Sequence, residues 1–127
     1  MKITLSSVFV DDQDKALQFY TEVLGFVKKQ ELPVGEFKWL TVVSPEGPDD
    51  VELLLEPNTT QIAKTYQEGC FQAGIPATTF AVEDIVEEYE RMKELGVTFL
   101  QKPAQAGSVS VAVFDDTCGN LIQLVQS

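Results

Sequence analysis

One order of elements occurs twice in this chain, and it restricts the fold more than any other feature. ITLSSVFV (3–10) is β-branched and apolar enough for a strand. Asp11 and Asp12 follow as N-cap candidates. Ala16, Phe19, Tyr20, Val23 and Leu24 then stand at helical spacing, with Gly25 just past the end. This pattern predicts a helix of about 12 residues. VKKQEL (27–32), FKWLTVVS (37–44) and VELLLE (51–56) read as three strands, separated by turns at Pro33-Val34-Gly35 and across 45–50. Further along, ATTFAV (77–82) predicts a strand. EDIVEEYERMKELG predicts a helix with Ile85, Val86, Tyr89, Met92 and Leu95 inward. VTFLQK (97–102), SVSVAVF (108–114) and NLIQLVQ (120–126) complete a second set of three strands.

Placing Asp12 on Glu83 also places Leu24-Gly25 on Leu95-Gly96, at the same offset of 71 residues. An acidic cap and a Leu-Gly stop in register indicate duplication of a βαβββ unit. Between the copies, NTTQIAKTYQEGCFQAG (58–74) predicts a helix with Ile62, Tyr66 and Cys70 on one face, Asn58 or Thr59 as cap and Gly74 as stop. The expected class is α+β in a single domain, 1–127. Module 1 covers about 1–57, the connecting helix about 58–74 and module 2 about 75–127.

The balance of charges narrows the partners. Nine basic against twenty acidic residues give a formal net charge of −11. Such a field repels nucleic acid and anionic membranes, and makes a cationic ligand more plausible. No apolar run approaches the roughly 20 residues of a membrane span, and the start MKITLSSVFVDD is too polar for a secretory signal, so a cytoplasmic location is expected. Cys70 and Cys118 form no CxxC pair, and neither a disulfide framework nor a zinc site follows from them. Cys118 sits in a turn predicted to be exposed, but the chain has no histidine to activate its thiol.

The two βαβββ modules, FYTEVLGF after a strand and an acidic cap, and the terminal DDTCGNLIQL together resemble the vicinal-oxygen-chelate superfamily over essentially the whole chain. That group holds glyoxalase I, bleomycin-resistance proteins, fosfomycin-modifying enzymes and extradiol dioxygenases. The resemblance implies two curled mixed sheets around a cavity, and a homodimer. In metal-using members, the first and fourth strands of each module supply His and Glu ligands. Counting six residues back from the acidic caps carries the first-strand positions to Ser6 and Ala77. Counting four past the turn glycine carries the last position to Gln123, and its counterpart falls at Leu54, with Glu52 and Glu56 on the same strand face. Serine and amide side chains are weak ligands, and leucine and alanine are none, so no metal and no cofactor are expected.

Strand alternation groups Ser6 with Thr4 and Val8, and adds Glu52 and Glu56, then Ala77, Thr79 and Ala81, then Leu121, Gln123 and Val125. Leu53, Leu55, Ile122 and Leu124 are then core. Trp39 and Phe37 share a face, and the sequence leaves open which one. The expected ligand-binding set is Ser6, Trp39, Glu52, Glu56, Thr79 and Gln123. Two functions follow. One is non-catalytic binding of a small molecule, such as a cationic antibiotic, through carboxylates and an aromatic wall. The other is a metal-independent lyase, isomerase or hydrolase in which Glu52 and Glu56 have raised pKa values and act as acid and base. A scaffold or interaction subunit is a third, plainer reading.

Overall fold

The computed structural model describes residues 1–127. In the first module, β1 (Leu5–Val10) leads to α1 (Gln13–Gln18), which runs into a π-helical turn over Phe19–Val23. Strands β2 (Val27–Val34), β3 (Phe37–Val43) and β4 (Glu52–Pro57) follow, and helix α2 (Gln61–Gln72) connects to the second module. There β5 (Thr78–Ala81), α3 (Ile85–Glu94), β6 (Phe99–Ala106), β7 (Val109–Asp115) and β8 (Leu121–Gln126) repeat the order. Two four-stranded mixed sheets result, ordered β1-β4-β3-β2 and β5-β8-β7-β6. The first and last strands of each module pair in parallel, and the remaining pairs are antiparallel. The chain divides into two compact units, Met1–Lys64 and Thr65–Ser127. No helix is long and apolar enough to cross a membrane.

The caps show where the internal repeat was misaligned by one residue. Asp12 accepts from Lys15 N–H at 3.0 Å and caps α1. In the second module the cap is Asp84, which accepts from Glu87 N–H at 3.0 Å, and not Glu83 as the repeat suggested. The stretch from Asp12 to Leu24 is therefore one residue longer than that from Asp84 to Leu95. Module 1 absorbs the extra residue in the π turn, where wider i→i+5 pairing takes up one residue without ending the helix. The connecting helix starts at another residue than expected, with Thr60 Oγ1 accepting from Ala63 N–H at 3.1 Å.

In unit 1, the face of the sheet toward α1 holds Val8, Val10, Leu40, Val42 and Leu55, all buried. Gln13 joins helix and sheet: its Nε2 donates to Lys38 O at 2.8 Å and Leu55 O at 2.9 Å, and its Oε1 accepts Lys38 N–H at 3.1 Å. In unit 2, Ile85 and Met92 of α3 are buried, as are Ala112, Phe114, Ile122 and Leu124 of the sheet. Val86 and Leu95 point to solvent, contrary to the predicted inward set, because they lie off the strip that Ile85 and Met92 share. Ile62 and Tyr66 of α2 are exposed too, while Ala63 and Gln67 one residue on are buried.

The terminal turn is built on a buried carboxylate. Asp116 Oδ1 accepts Cys118 N–H at 2.8 Å and Asn120 N–H at 3.0 Å, and its Oδ2 accepts Asn120 Nδ2–H at 2.8 Å. Gln67 Nε2 donates to Cys118 O and to Asn120 Oδ1, each at 3.1 Å, and pins α2 onto this turn. Cys118 is thereby fully buried, where the sequence suggested an exposed thiol.

Candidate functional site

Strand register sorts the expected site residues onto faces. In the parallel β1–β4 pair, Leu5 is opposite Glu52, Ser7 opposite Leu54 and Phe9 opposite Glu56, while Ser6 is opposite Leu53 and Val8 opposite Leu55. Directly paired residues share a face. Ser6 therefore stands on the side of the buried Val8 and Val10, away from Glu52 and Glu56. A one-residue slip transfers a whole strand to the opposite face, and here the slip lies in the count of six residues back from Asp12, since Ala77 stands seven before its module's own cap, Asp84. Counted from Asp84, Ala77 matches Leu5 and not Ser6. The position that would carry a first-strand ligand is thus a leucine, with no ligand atom at all.

The face opposite α1 is now defined. Thr41 pairs with Leu54 across β3–β4, and Gln30 with Thr41, Leu32 with Trp39 and Val34 with Phe37 across β2–β3. Trp39, whose side the sequence left open, stands with Glu52 and Glu56. Its surroundings are apolar and open: Trp39, Phe37, Leu5, Leu32 and Val34 are all exposed. Leu54 is buried within this face and Glu56 is half-buried.

A hydrogen-bonded carboxylate lies at one end of this surface. Glu52 Oε1 accepts from Gln30 Nε2 at 2.6 Å and from Thr41 Oγ1 at 2.7 Å, so β2, β3 and β4 each contribute to one cluster. Thr41 Oγ1 in turn accepts Gln30 N–H at 3.2 Å, which fixes the hydroxyl's direction of donation. The Lys29 ammonium lies 3.8 Å from Glu52 Oε2. These donors stabilise the charged form, the Thr41 hydroxyl foremost and Gln30 next, and hold the Glu52 carboxyl below its ordinary range. The raised pKa expected of a catalytic acid at Glu52 is replaced by a lowered one. Neither Thr41, Gln30 nor Lys29 stood out in the sequence, although Thr41 continues the alternation that joins Phe37 and Trp39.

In the second sheet, Thr79 pairs with Gln123 and Ala81 with Val125, and Val113 flanks Gln123 on the other side. Thr79 and Gln123 thus adjoin on the face away from the buried Ile122 and Leu124. Neither sheet provides a metal centre. No group of three or more His, Cys, Asp or Glu side chains is placed to hold an ion, and Leu5, Leu54, Ala77 and Gln123 offer one neutral amide among them.

Comparison with known proteins fits this architecture. The sequence model of the Glyoxalase/Bleomycin resistance protein/Dioxygenase superfamily matches residues 2–124. The chain belongs to that superfamily. It is 60% identical to the protein YurT of Bacillus subtilis (strain 168) over 99% of both chains. It is 26% identical to a lactoylglutathione lyase of Salmonella typhimurium, over 100% of this chain and 93% of that protein. Among solved structures, UcmS2 superposes with a TM-score of 0.86 at 31% identity, covering 100% of this chain and 98% of the other. TnmS3, an antibiotic binding protein from Streptomyces sp. CB03234, gives 0.76 at 26% identity, covering 99% and 95%.

Proposed function

We propose that this superfamily member binds a small molecule with a cationic group, such as an antibiotic, without metal and without turnover. The observation that carries the reading is the clamp on Glu52. Two donors on Oε1 keep the carboxylate ionised at neutral pH, on a face that also bears Trp39 and Phe37. A fixed anion on the same face as aromatic rings suits an ammonium or amidinium carried on an apolar body, through charge pairing and cation–π contact. The net charge of −11 draws such a ligand in. The likeness to an antibiotic-binding protein supports the same class of ligand. In this reading Glu56 contributes a further contact, and the protein acts as a cytoplasmic homodimer.

The alternative, acid–base catalysis without metal by Glu52 and Glu56, is favoured by the likeness to a lactoylglutathione lyase. It is weakened by the donors on Glu52, since a carboxylate stabilised in this way is a poor base. Trp39 is the sole tryptophan, so its emission reports on this face directly. A titration with cationic antibiotics should give a saturable change in Trp39 emission that Glu52→Gln abolishes, with the compound recovered intact. Turnover of an α-keto or thiohemiacetal substrate, lost in Glu52→Gln, would overturn the binding reading in favour of the enzyme.

A further inference from the structure

Lys29 occupies an irregular position in its strand. Between Lys28, opposite Val42, and Gln30, opposite Thr41, β2 has one residue more than β3, and Lys29 is that residue. A β-bulge turns a side chain out of the alternation, and bulges occur often beside functional sites. Here the bulge sends the Lys29 ammonium to Glu52, 3.8 Å from Oε2, the carboxylate oxygen that Gln30 and Thr41 leave unclamped. The ammonium also donates to the carbonyl of Asp49 in the loop before β4. Lys29 further lines an open groove of about 650 Å³ with Val27, Val43, Pro48 and Asp49. The ammonium therefore has room to leave Glu52 while staying at the loop.

We propose that Lys29 is a built-in counter-ion that an incoming cation must displace from Glu52, so that this bulge residue sets the affinity and charge selectivity of the site. The inference rests on the binding reading above. At 3.8 Å the pair is long for a hydrogen bond, and the two side chains are 35% and 16% exposed. Lys29 thus neutralises Glu52 only loosely and can be exchanged. A ligand with a planar amidinium, able to place a hydrogen bond on Oε2, outcompetes it; a neutral analogue of the same shape has no means to do so.

The test uses benzamidine and its neutral analogue benzamide, read by Trp39 emission and by calorimetry, on wild type, Lys29→Met, Lys29→Gln and Glu52→Gln. Lys29→Gln retains an N–H for the Asp49 carbonyl and removes only the charge, so it separates competition from anchoring of the loop. A loose pair of this kind is worth up to about 1 kcal/mol, so both Lys29 variants should bind benzamidine about fivefold more tightly. Benzamide binding should stay unchanged in all four proteins. Unchanged or weaker benzamidine binding in Lys29→Gln overturns the role of Lys29, even if Glu52→Gln still abolishes binding and the wider reading stands. If the Lys29 variants bind no benzamidine at all, removal of the counter-ion uncovers no cation site, and the inference falls. Benzamidine binding in wild type that is indifferent to Glu52→Gln overturns the binding reading itself.

Discussion

Thr41 Oγ1 donates to Glu52 Oε1 across 2.7 Å while accepting the Gln30 backbone N–H at 3.2 Å, so one buried hydroxyl links three adjacent strands. Replacing it with an isosteric methyl in Thr41→Val leaves the Gln30 N–H without this acceptor and the carboxylate short of a donor. Unsatisfied groups of this kind cost about 1–3 kcal/mol. Urea unfolding should show a loss in that range. The Glu52 side-chain carbon signal, followed by NMR, should titrate at higher pH than in wild type.

The same clamp predicts how stability depends on pH. The folded-state pKa of Glu52 lies below its ordinary value of 4.5. Its contribution is therefore fully present above pH 4.5, and is lost as pH falls through the lower folded value. Glu31, between Lys28 and Lys38, is lowered to about 2 and follows the same sign, fading between 4.5 and about 2. Melting temperatures measured from pH 7 down to pH 2 should fall less steeply in Glu52→Gln than in wild type. Parallel curves would count against the clamp.

Gln13 is the polar tie between α1 and its sheet, with three hydrogen bonds to the backbone of Lys38 and Leu55. Gln13→Ala strands the buried Leu55 carbonyl and should cost about 2 kcal/mol by denaturant unfolding. Gln13→Glu keeps the acceptor for Lys38 N–H but sets a carboxylate oxygen against two carbonyls. It should be at least as damaging.

Gly119 has φ +102, and a Cβ there would lie 2.7 Å from Gln67 Nε2, which is held in place by Cys118 O and Asn120 Oδ1. Gly119→Ala therefore combines backbone strain with displacement of Gln67, and should destabilise by about 2–3 kcal/mol. Hydrogen exchange should quicken first at Cys118 and Asn120, the two amides that Asp116 accepts. Gly35→Ala provides the control: it also has positive φ, at +61, but nothing lies within 4 Å of its Cβ. It should cost less.

Protein purified without chelators should contain less than stoichiometric Ni, Zn, Fe or Mn, and added metal should leave its melting temperature unchanged. The reason is that the ligand positions offer two leucines, Leu5 and Leu54, in the first sheet and an alanine and an amide, Ala77 and Gln123, in the second, and that no three His, Cys, Asp or Glu side chains group to hold an ion. Stoichiometric metal that stabilises the fold would refute this.

Element order was legible because alternation and caps are local signals. Every strand and helix named from the sequence is present, as is the Ile122 and Leu124 core. What failed was absolute register. Glu83 and Asp84 are adjacent acids, and taking the wrong one hid that Ala77 lies seven residues before its cap, so the count of six from Asp12 put Ser6 on the wrong face, because side-chain direction in a strand reverses at each residue. Helix facing failed in α2 for a related reason: Ala63 and Gln67 form the buried strip, and a buried glutamine is not visible as core until its partners are known. Gln30, Thr41 and Lys29 were missed because they converge only through cross-strand register and a bulge, and neither is written in local pattern.

The parallel pairing of first and last strands has a consequence for how each unit assembles. The β2–β3 and β6–β7 hairpins join residues close in sequence and can form early. Leu5, by contrast, must wait for Glu52, and Thr78 for Ile122, before either edge is closed. Closing so long a loop is the slow, entropically costly event in folding, so β1 and β5 should be the last strands to dock. Until they do, β4 and β8, which bear Glu52 and Gln123, each keep one bare edge. Each module is sealed by the strand that was synthesised first.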